Sequence, residues 1–105
     1  MKDMNELVAS VELWAEVRGL TSADPYKQFA KLSEEIGELA EGLSKGNQNL
    51  ILDGIGDAVV VLTILARQVD SSITDCLNVA YDEIKNRKGK TVNGVFVKES
   101  DLNGK

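Results

Sequence analysis

The chain has 105 residues, 43% of them hydrophobic, and a formal net charge of −5, which suits one ordinary globular domain. It contains one cysteine and no histidine, which excludes an internal disulfide framework, Ser-His and Cys-His catalysis, and the usual zinc sites. The negative charge argues against binding long nucleic acid through a broad basic face.

Apolar residues at helical spacing predict two helices in the first half of the chain. The first runs from about residue 4 to residue 18, behind a capping box that Asp3 opens. The second runs from about residue 25 to residue 45, with Asp24 as its N-cap and Pro25 at its first position.

Two more helices and a short tail follow. The third helix, about residues 48–69, contains AVVVLTILA, which is apolar on every side and must be covered all round. The fourth begins near Ser72 and runs to about residue 88. Alternating valines around Asn93-Gly94 then predict a small hairpin or an extended arm over residues 89–105.

These elements predict an all-α protein, an antiparallel four-helix bundle with a short extended C-terminal tail. The whole chain, residues 1–105, is expected to form one domain, with a helical core over about residues 4–88. A strand over Val59–Val61 would lack a partner, so we interpret that run as helix. Because a third helix apolar on all sides is hard to cover in so short a chain, we expect a homo-oligomer, either a dimer or a tetramer.

The sequence also favours a cytoplasmic protein without a membrane partner. The apolar run Ala58–Ala66 is too short to span a bilayer. The N-terminus has acids among its first residues and lacks the apolar stretch of a signal peptide. The single cysteine, Cys76, fits a reducing compartment.

Four carboxylates are crowded into EEIGELAEG, residues 34–42, and Glu38 has no basic residue three or four positions away. Asp53 and Asp57 lie one turn apart on the third helix, where its apolar face begins. Ionised carboxylates at the margin of a core need a counter-charge. A divalent cation such as Mg²⁺ would supply it. A solvated acidic face, with Asp53 as an N-cap, explains the same spacing equally well.

The stretch KLSEEIGELAEGLSKGNQNLILDGIGDAVVVLTILARQ resembles the MazG-like nucleotide pyrophosphohydrolases of the all-α NTP pyrophosphatase superfamily, in particular small phage-type members. Their hallmark is EExxE on one helix and ExxD on the next. Glu34, Glu35 and Glu38 match the first motif, and Asp57 matches the end of the second. The glutamate of ExxD falls on Gly54, and Asp53 is the nearest acid.

The resemblance implies hydrolysis of an NTP or dNTP to the monophosphate and pyrophosphate, with Mg²⁺ or Mn²⁺ as cofactor. Glu35, Glu38 and Asp57, with Asp53, would hold the metal. Glu34 would accept the proton of the attacking water.

Several residues are candidates for substrate binding. KNRKGK concentrates basic residues, and the resemblance implies that they reach the triphosphate; a helix C-terminus with favourable cations is the alternative. Trp14 would stack on the base, or belong to the core or a subunit interface. The full set of candidates is Lys85, Asn86, Arg87, Lys88, Trp14, Gln28 and Lys31.

Two other functions fit the same sequence. One is a non-catalytic oligomeric interaction module whose metal site is eroded at Gly54. The other is a nucleic-acid-binding bundle, which only KNRKGK favours. Asp53 distinguishes the interaction module from the enzyme, because only the enzyme needs a charged carboxylate at this position that faces Asp57.

Overall fold

The computed structural model describes residues 1–103 and is mostly helical in that part of the chain. The helices are α1 (Met4–Val17), α2 (Pro25–Lys45), α3 (Gln48–Gln68), α4 (Ile73–Ile84) and α5 (Glu99–Asn103). Strands β1 (Gly89–Val92) and β2 (Val95–Lys98) form an antiparallel hairpin. The expected helical class is confirmed in broad terms, and the four-helix bundle remains a prediction.

The chain divides into two compact units, residues 1–75 and the residues from Cys76 onward. The first unit contains α1, α2 and α3. A single turn of 3-10 helix, Leu20–Ser22, connects α1 to α2. Within this unit α2 packs mainly on α3, and α1 also contacts α3. All the carboxylates proposed from the sequence therefore lie in one unit.

Local capping sets where the first two helices begin. The Asp3 carboxylate accepts a hydrogen bond from the Glu6 N–H at 2.9 Å, and the Glu6 side chain accepts one from the Asp3 N–H. Asp24 caps α2 by accepting from the Tyr26 N–H, with Pro25 at the first turn. Both predicted starts are confirmed, because each depends on residues adjacent in sequence.

A two-residue connection brings α3 back beside α2. Gly46 adopts the left-handed conformation, with φ of 63°, and ends α2. Asn47 then caps α3 by accepting a hydrogen bond from the Leu50 N–H at 3.1 Å. So short a connection holds the C-terminal end of α2 next to the start of α3.

The buried apolar core of the first unit is small. It consists of Ala15 from α1 with Val61, Ile64 and Ala66 from α3. Gln28 of α2 donates its side-chain amide to the Val61 carbonyl at 3.2 Å, in a part-buried position. This hydrogen bond ties α2 to α3, so the Gln28 amide has a structural partner.

α3 is longer than the uninterrupted apolar run in its sequence. An 18-residue window within its 21 residues has a mean hydropathy of 1.8, so by length and composition it is one helix that could cross a membrane. The expectation of no membrane-spanning segment considered only residues 58–66, and a single helix of this kind is weak evidence against it. A core helix of a soluble protein passes the same test.

The second unit begins within α4, which is shorter than predicted. The helix ends at Ile84 rather than near residue 88, and the Arg87 N–H donates to the Ile84 carbonyl in the turn that follows. Residues 85–88 carry no apolar side chain that could hold a further helical turn against a core. Gly89, the next residue, begins β1.

The C-terminal residues form a hairpin and a short helix rather than an extended tail. Gly89 pairs with Lys98, and the turn between the strands has Asn93 at φ 52° and Gly94 at φ 81°. Two successive positive φ values are typical of a type I′ turn, which explains the Asn-Gly pair. The α5 helix was not predicted.

Candidate metal centre

Three carboxylates from two helices converge in the first unit. Glu35 and Glu38 lie three residues apart on α2, and Asp57 lies on α3. One carboxylate oxygen from each of the three residues lies within 4.8 Å of the other two. The close packing of α2 on α3 brings the three carboxylates together. We call these three residues the carboxylate cluster.

Glu35 is the buried member of the cluster. It is 6% exposed, and its Oε2 is buried without a hydrogen-bond partner. Its Oε1 lies 3.6 Å from the Lys31 Nζ. A buried carboxylate oxygen without a partner costs free energy unless another group satisfies it.

The donor set fits a hard divalent cation. All three groups are carboxylates, the oxygen ligands that Mg²⁺ and Mn²⁺ prefer. Glu38 is exposed and Asp57 half-buried, so a cation could reach the cluster from solvent while Glu35 contacts it from the protein side. The unsatisfied Glu35 Oε2 is the observation that favours a ligand over an ordinary acidic surface.

The pKa of Asp57 is raised above its ordinary value. Burial is the main cause, followed by the negative charge of Glu35 and hydrogen bonding with it. Lys31 and an interaction with Asp53 act in the opposite direction. Repulsion between these carboxylates therefore favours the binding of a positively charged ligand at the cluster.

Asp53 lies beside the cluster rather than within it. Its side chain is close enough to Asp57 to affect the pKa of that group, but it is exposed and stands outside the set of mutually close oxygens. Gly54, where the resembled family has glutamate, is buried against Leu39 of α2. A side chain at position 54 would thus point into the helix interface.

Glu34, expected to accept a proton from water, lies on the solvent side of α2. Its side chain is 69% exposed and its Oε2 lies 4.0 Å from the Lys31 Nζ. Another ion pair on this helix joins Glu41 Oε1 and Lys45 Nζ, at 2.7 Å. Lys45 lowers the pKa of Glu41 through this hydrogen bond and its charge.

An open groove of about 480 Å³ adjoins the acids between α1 and α3. Sequence reasoning missed it, although the apolar stripe of α1 and the all-round apolarity of α3 were its signals. Its lining is mostly apolar, with two carboxylates on one wall. The lining residues are Met4, Leu7, Val8, Val11, Leu52, Asp53, Gly56, Asp57, Val59, Val60 and Thr63.

Trp14 is only partly covered. It is 48% exposed and lines a second groove with Leu7, Val11 and Val60. The Arg18 guanidinium lies 4.2 Å from the centre of its ring, a cation–π contact that sequence reasoning also missed. Trp14 is therefore not buried in the core of the single chain, and its subunit-interface and base-stacking roles remain predictions.

The basic stretch lies in the second unit, where its residues are exposed. The Lys85 Nζ lies 3.0 Å from Asp82 Oδ1. Asn86, Arg87 and Lys88 occupy the turn between α4 and β1. They directly follow the C-terminus of α4 at Ile84, so the alternative explanation, favourable cations at a helix C-terminus, stays open. Their substrate-binding role remains a prediction.

Comparison with known proteins gives similarity without an activity. An uncharacterized 18.2 kDa protein from the rep-hol intergenic region of Haemophilus phage HP1 (strain HP1c1) is 48% identical over 69 residues. The match covers 65% of this chain but 42% of the phage protein, so the chain spans less than half of that relative's length. No family model matches the chain. No solved structure matches it either.

Proposed function

We propose that the protein is a Mg²⁺-dependent nucleoside triphosphate pyrophosphohydrolase that converts an NTP or dNTP and water to the monophosphate and pyrophosphate. The observation that carries this proposal is the carboxylate cluster with its buried, unpartnered Glu35 oxygen. The resemblance of the EExxE stretch to MazG-like enzymes supplies the reaction class. We place the enzyme in the cytoplasm.

Four acidic residues of the chain are assigned to the metal site. Glu35 and Glu38 from α2 and Asp57 from α3 hold the metal, with Asp53 beside Asp57 as a fourth carboxylate. Mn²⁺ could replace Mg²⁺ there, since both prefer oxygen ligands. When bound, the ion would neutralise charge on the triphosphate and on the leaving pyrophosphate.

The reaction needs a base and further cations. The water oxygen bonds to the α-phosphorus, and the bond from that phosphorus to the bridging oxygen of the β-phosphate breaks. Pyrophosphate leaves with that oxygen. Glu34 is our candidate for the carboxylate that accepts the proton of the water. Lys31, at the margin of the carboxylate cluster, would bind a phosphate of the substrate.

The first experiment pairs two substitutions on the same helix. The protein is incubated with canonical and modified NTPs and dNTPs, with and without Mg²⁺, and pyrophosphate is measured. Glu38→Gln should abolish magnesium-dependent release. Glu41→Gln should retain it, because Glu41 lies outside the cluster and pairs with Lys45. Equal activity in the two variants would refute the metal assignment.

A second candidate function is a non-catalytic, oligomeric interaction module. The exposed apolar surface around the α1–α3 groove favours it, since Leu7 is 46% and Leu52 59% exposed. In that case the metal site would be an eroded remnant that lacks a glutamate at position 54, where Gly54 stands. Absence of turnover with every nucleotide, combined with self-association, would favour this function.

Both functions include a homo-oligomer. We propose that a second copy of the chain covers the α1–α3 groove, because a mostly apolar groove of this size is unfavourable in water. Leu52→Lys tests this, since Leu52 is exposed in the single chain and its replacement leaves the core intact. Sedimentation velocity should show the wild type as a dimer or tetramer and the variant shifted toward monomer.

A further inference from the structure

Lys31 approaches one oxygen of the buried Glu35 carboxylate. The Lys31 Nζ lies 3.6 Å from Glu35 Oε1 and 4.0 Å from Glu34 Oε2. The lysine side chain is 57% exposed, whereas that of Glu35 is 7% exposed. The other oxygen, Glu35 Oε2, is buried and has no hydrogen-bond partner. The two oxygens of one carboxylate therefore have different surroundings.

The order of this pair along the helix gives little reason to keep it for stability. Lysine precedes glutamate by four residues, which is the less favourable order for a helical ion pair. An influence on the metal site accounts better for a lysine placed at its margin.

We propose that Lys31 is a positioning residue that limits Glu35 to one oxygen as a metal ligand and so makes the cluster prefer Mg²⁺ to Ca²⁺. Because the ammonium group lies 3.6 Å from Oε1 whereas Oε2 has no hydrogen-bond partner, Oε2 is the oxygen left for the cation. Mg²⁺ demands near-octahedral coordination with short bonds, whereas Ca²⁺ accepts more ligands and bidentate carboxylates. This inference depends on the metal site of the proposed function.

The test measures metal binding directly. Mn²⁺ binding is followed by electron paramagnetic resonance, and Mg²⁺ or Ca²⁺ is titrated to displace it. In Lys31→Met the preference for Mg²⁺ over Ca²⁺ should fall about tenfold, the scale on which groups that orient metal ligands act. Lys31→Arg should retain the preference, because it keeps a cation beside Oε1.

Lys27→Met is the matched control, since it removes an exposed lysine one turn earlier on the same helix. Its metal preference should equal that of the wild type. If Lys31 acted through charge alone, Lys31→Met would raise the affinity for both cations by the same factor. An unchanged ratio would therefore overturn the positioning role while leaving the metal site intact.

Two further outcomes of this experiment have a defined meaning. If the wild type binds none of the three cations, even with nucleotide present, the metal site and the role of Lys31 fall together. If Lys31→Met does not fold, as judged by circular dichroism, Lys31→Gln replaces it with a polar helix former. The same tenfold change in metal preference is required of that variant.

Discussion

Gly54 of α3 lies directly against Leu39 of α2. A Cβ added to Gly54 would stand 3.1 Å from the Leu39 Cβ and 3.2 Å from its Cα, tighter than ordinary van der Waals contact. Glu38 precedes this leucine and Asp53 precedes this glycine. The close approach that glycine permits therefore fixes the distance between the two acidic stretches.

Restoring the glutamate of the family pattern at this position should damage the protein. Gly54→Glu would force a long charged side chain into the α2–α3 interface, and overpacking alone typically costs about 1–3 kcal/mol. We expect the free energy of unfolding in urea to fall by at least that amount. Gly37→Glu is the control, because a Cβ there has nothing within 4 Å. Equal stability of the two variants would contradict the packing role of Gly54.

Gly37→Ala should stabilise the protein. Gly37 lies inside α2 in a helical position with open space around its Cα. Alanine favours a helix over glycine by about 1 kcal/mol, part of which reflects lower entropy of the unfolded chain. The expected gain in unfolding free energy is about 0.5–1 kcal/mol. A loss of stability would mean that Gly37 has a contact that its open surroundings do not suggest.

The sequence best predicted the features, such as helix boundaries, that depend on residues close together in the chain. The bounds of α2 follow from Asp24, Pro25 and Gly46, all of which act within one helical turn. The convergence of Glu35 with Asp57 followed from helical faces, because both acids flank apolar stripes that must meet. These predictions needed no knowledge of how distant residues pack.

The sequence could not predict features that depend on distant packing. The exposed position of Asp53 depends on how Gly54 meets Leu39, which spacing along one helix does not reveal. The hydrogen bond from Gln28 to the Val61 carbonyl joins residues 33 positions apart. Strand pairing between Gly89 and Lys98 follows the end of α4 at Ile84, and the spacing of apolar residues along the helix does not reveal it.

The raised pKa of Asp57 predicts how metal-free stability depends on pH. The folded protein keeps this proton to higher pH than the unfolded chain, so stability falls as pH rises through the interval between the two pKa values. The loss of stability is complete at pH values above the pKa that Asp57 has in the folded protein. In a buffer that contains a metal chelator, Asp57→Asn should therefore be at least as stable as the wild type at pH 7. Urea unfolding at pH 7 and pH 3 checks this, and the difference should vanish at pH 3.

Glu41→Gln should show the opposite pH dependence. Lys45 lowers the pKa of Glu41, so the ionised pair stabilises the folded state above the unfolded pKa and the effect is lost as pH falls. The variant should be slightly less stable than the wild type at pH 7 and indistinguishable from it at low pH. The same sign of effect in Asp57→Asn and Glu41→Gln at pH 7 would show that general charge reduction, not the local environment, governs both.

Divalent cations should stabilise the folded protein through the carboxylate cluster. A ligand that binds only the folded state adds about 2.7 kcal/mol at a free concentration of a hundred times its Kd. We expect the Tm of the wild type to rise with Mn²⁺ or Mg²⁺ in differential scanning calorimetry, because the cation relieves repulsion between Asp57 and Glu35. Glu38→Gln and Asp57→Asn should lose most of this increase. Glu41→Gln should keep it, since its carboxylate lies outside the cluster, and an equal loss in that variant would reduce the effect to nonspecific screening of an acidic surface.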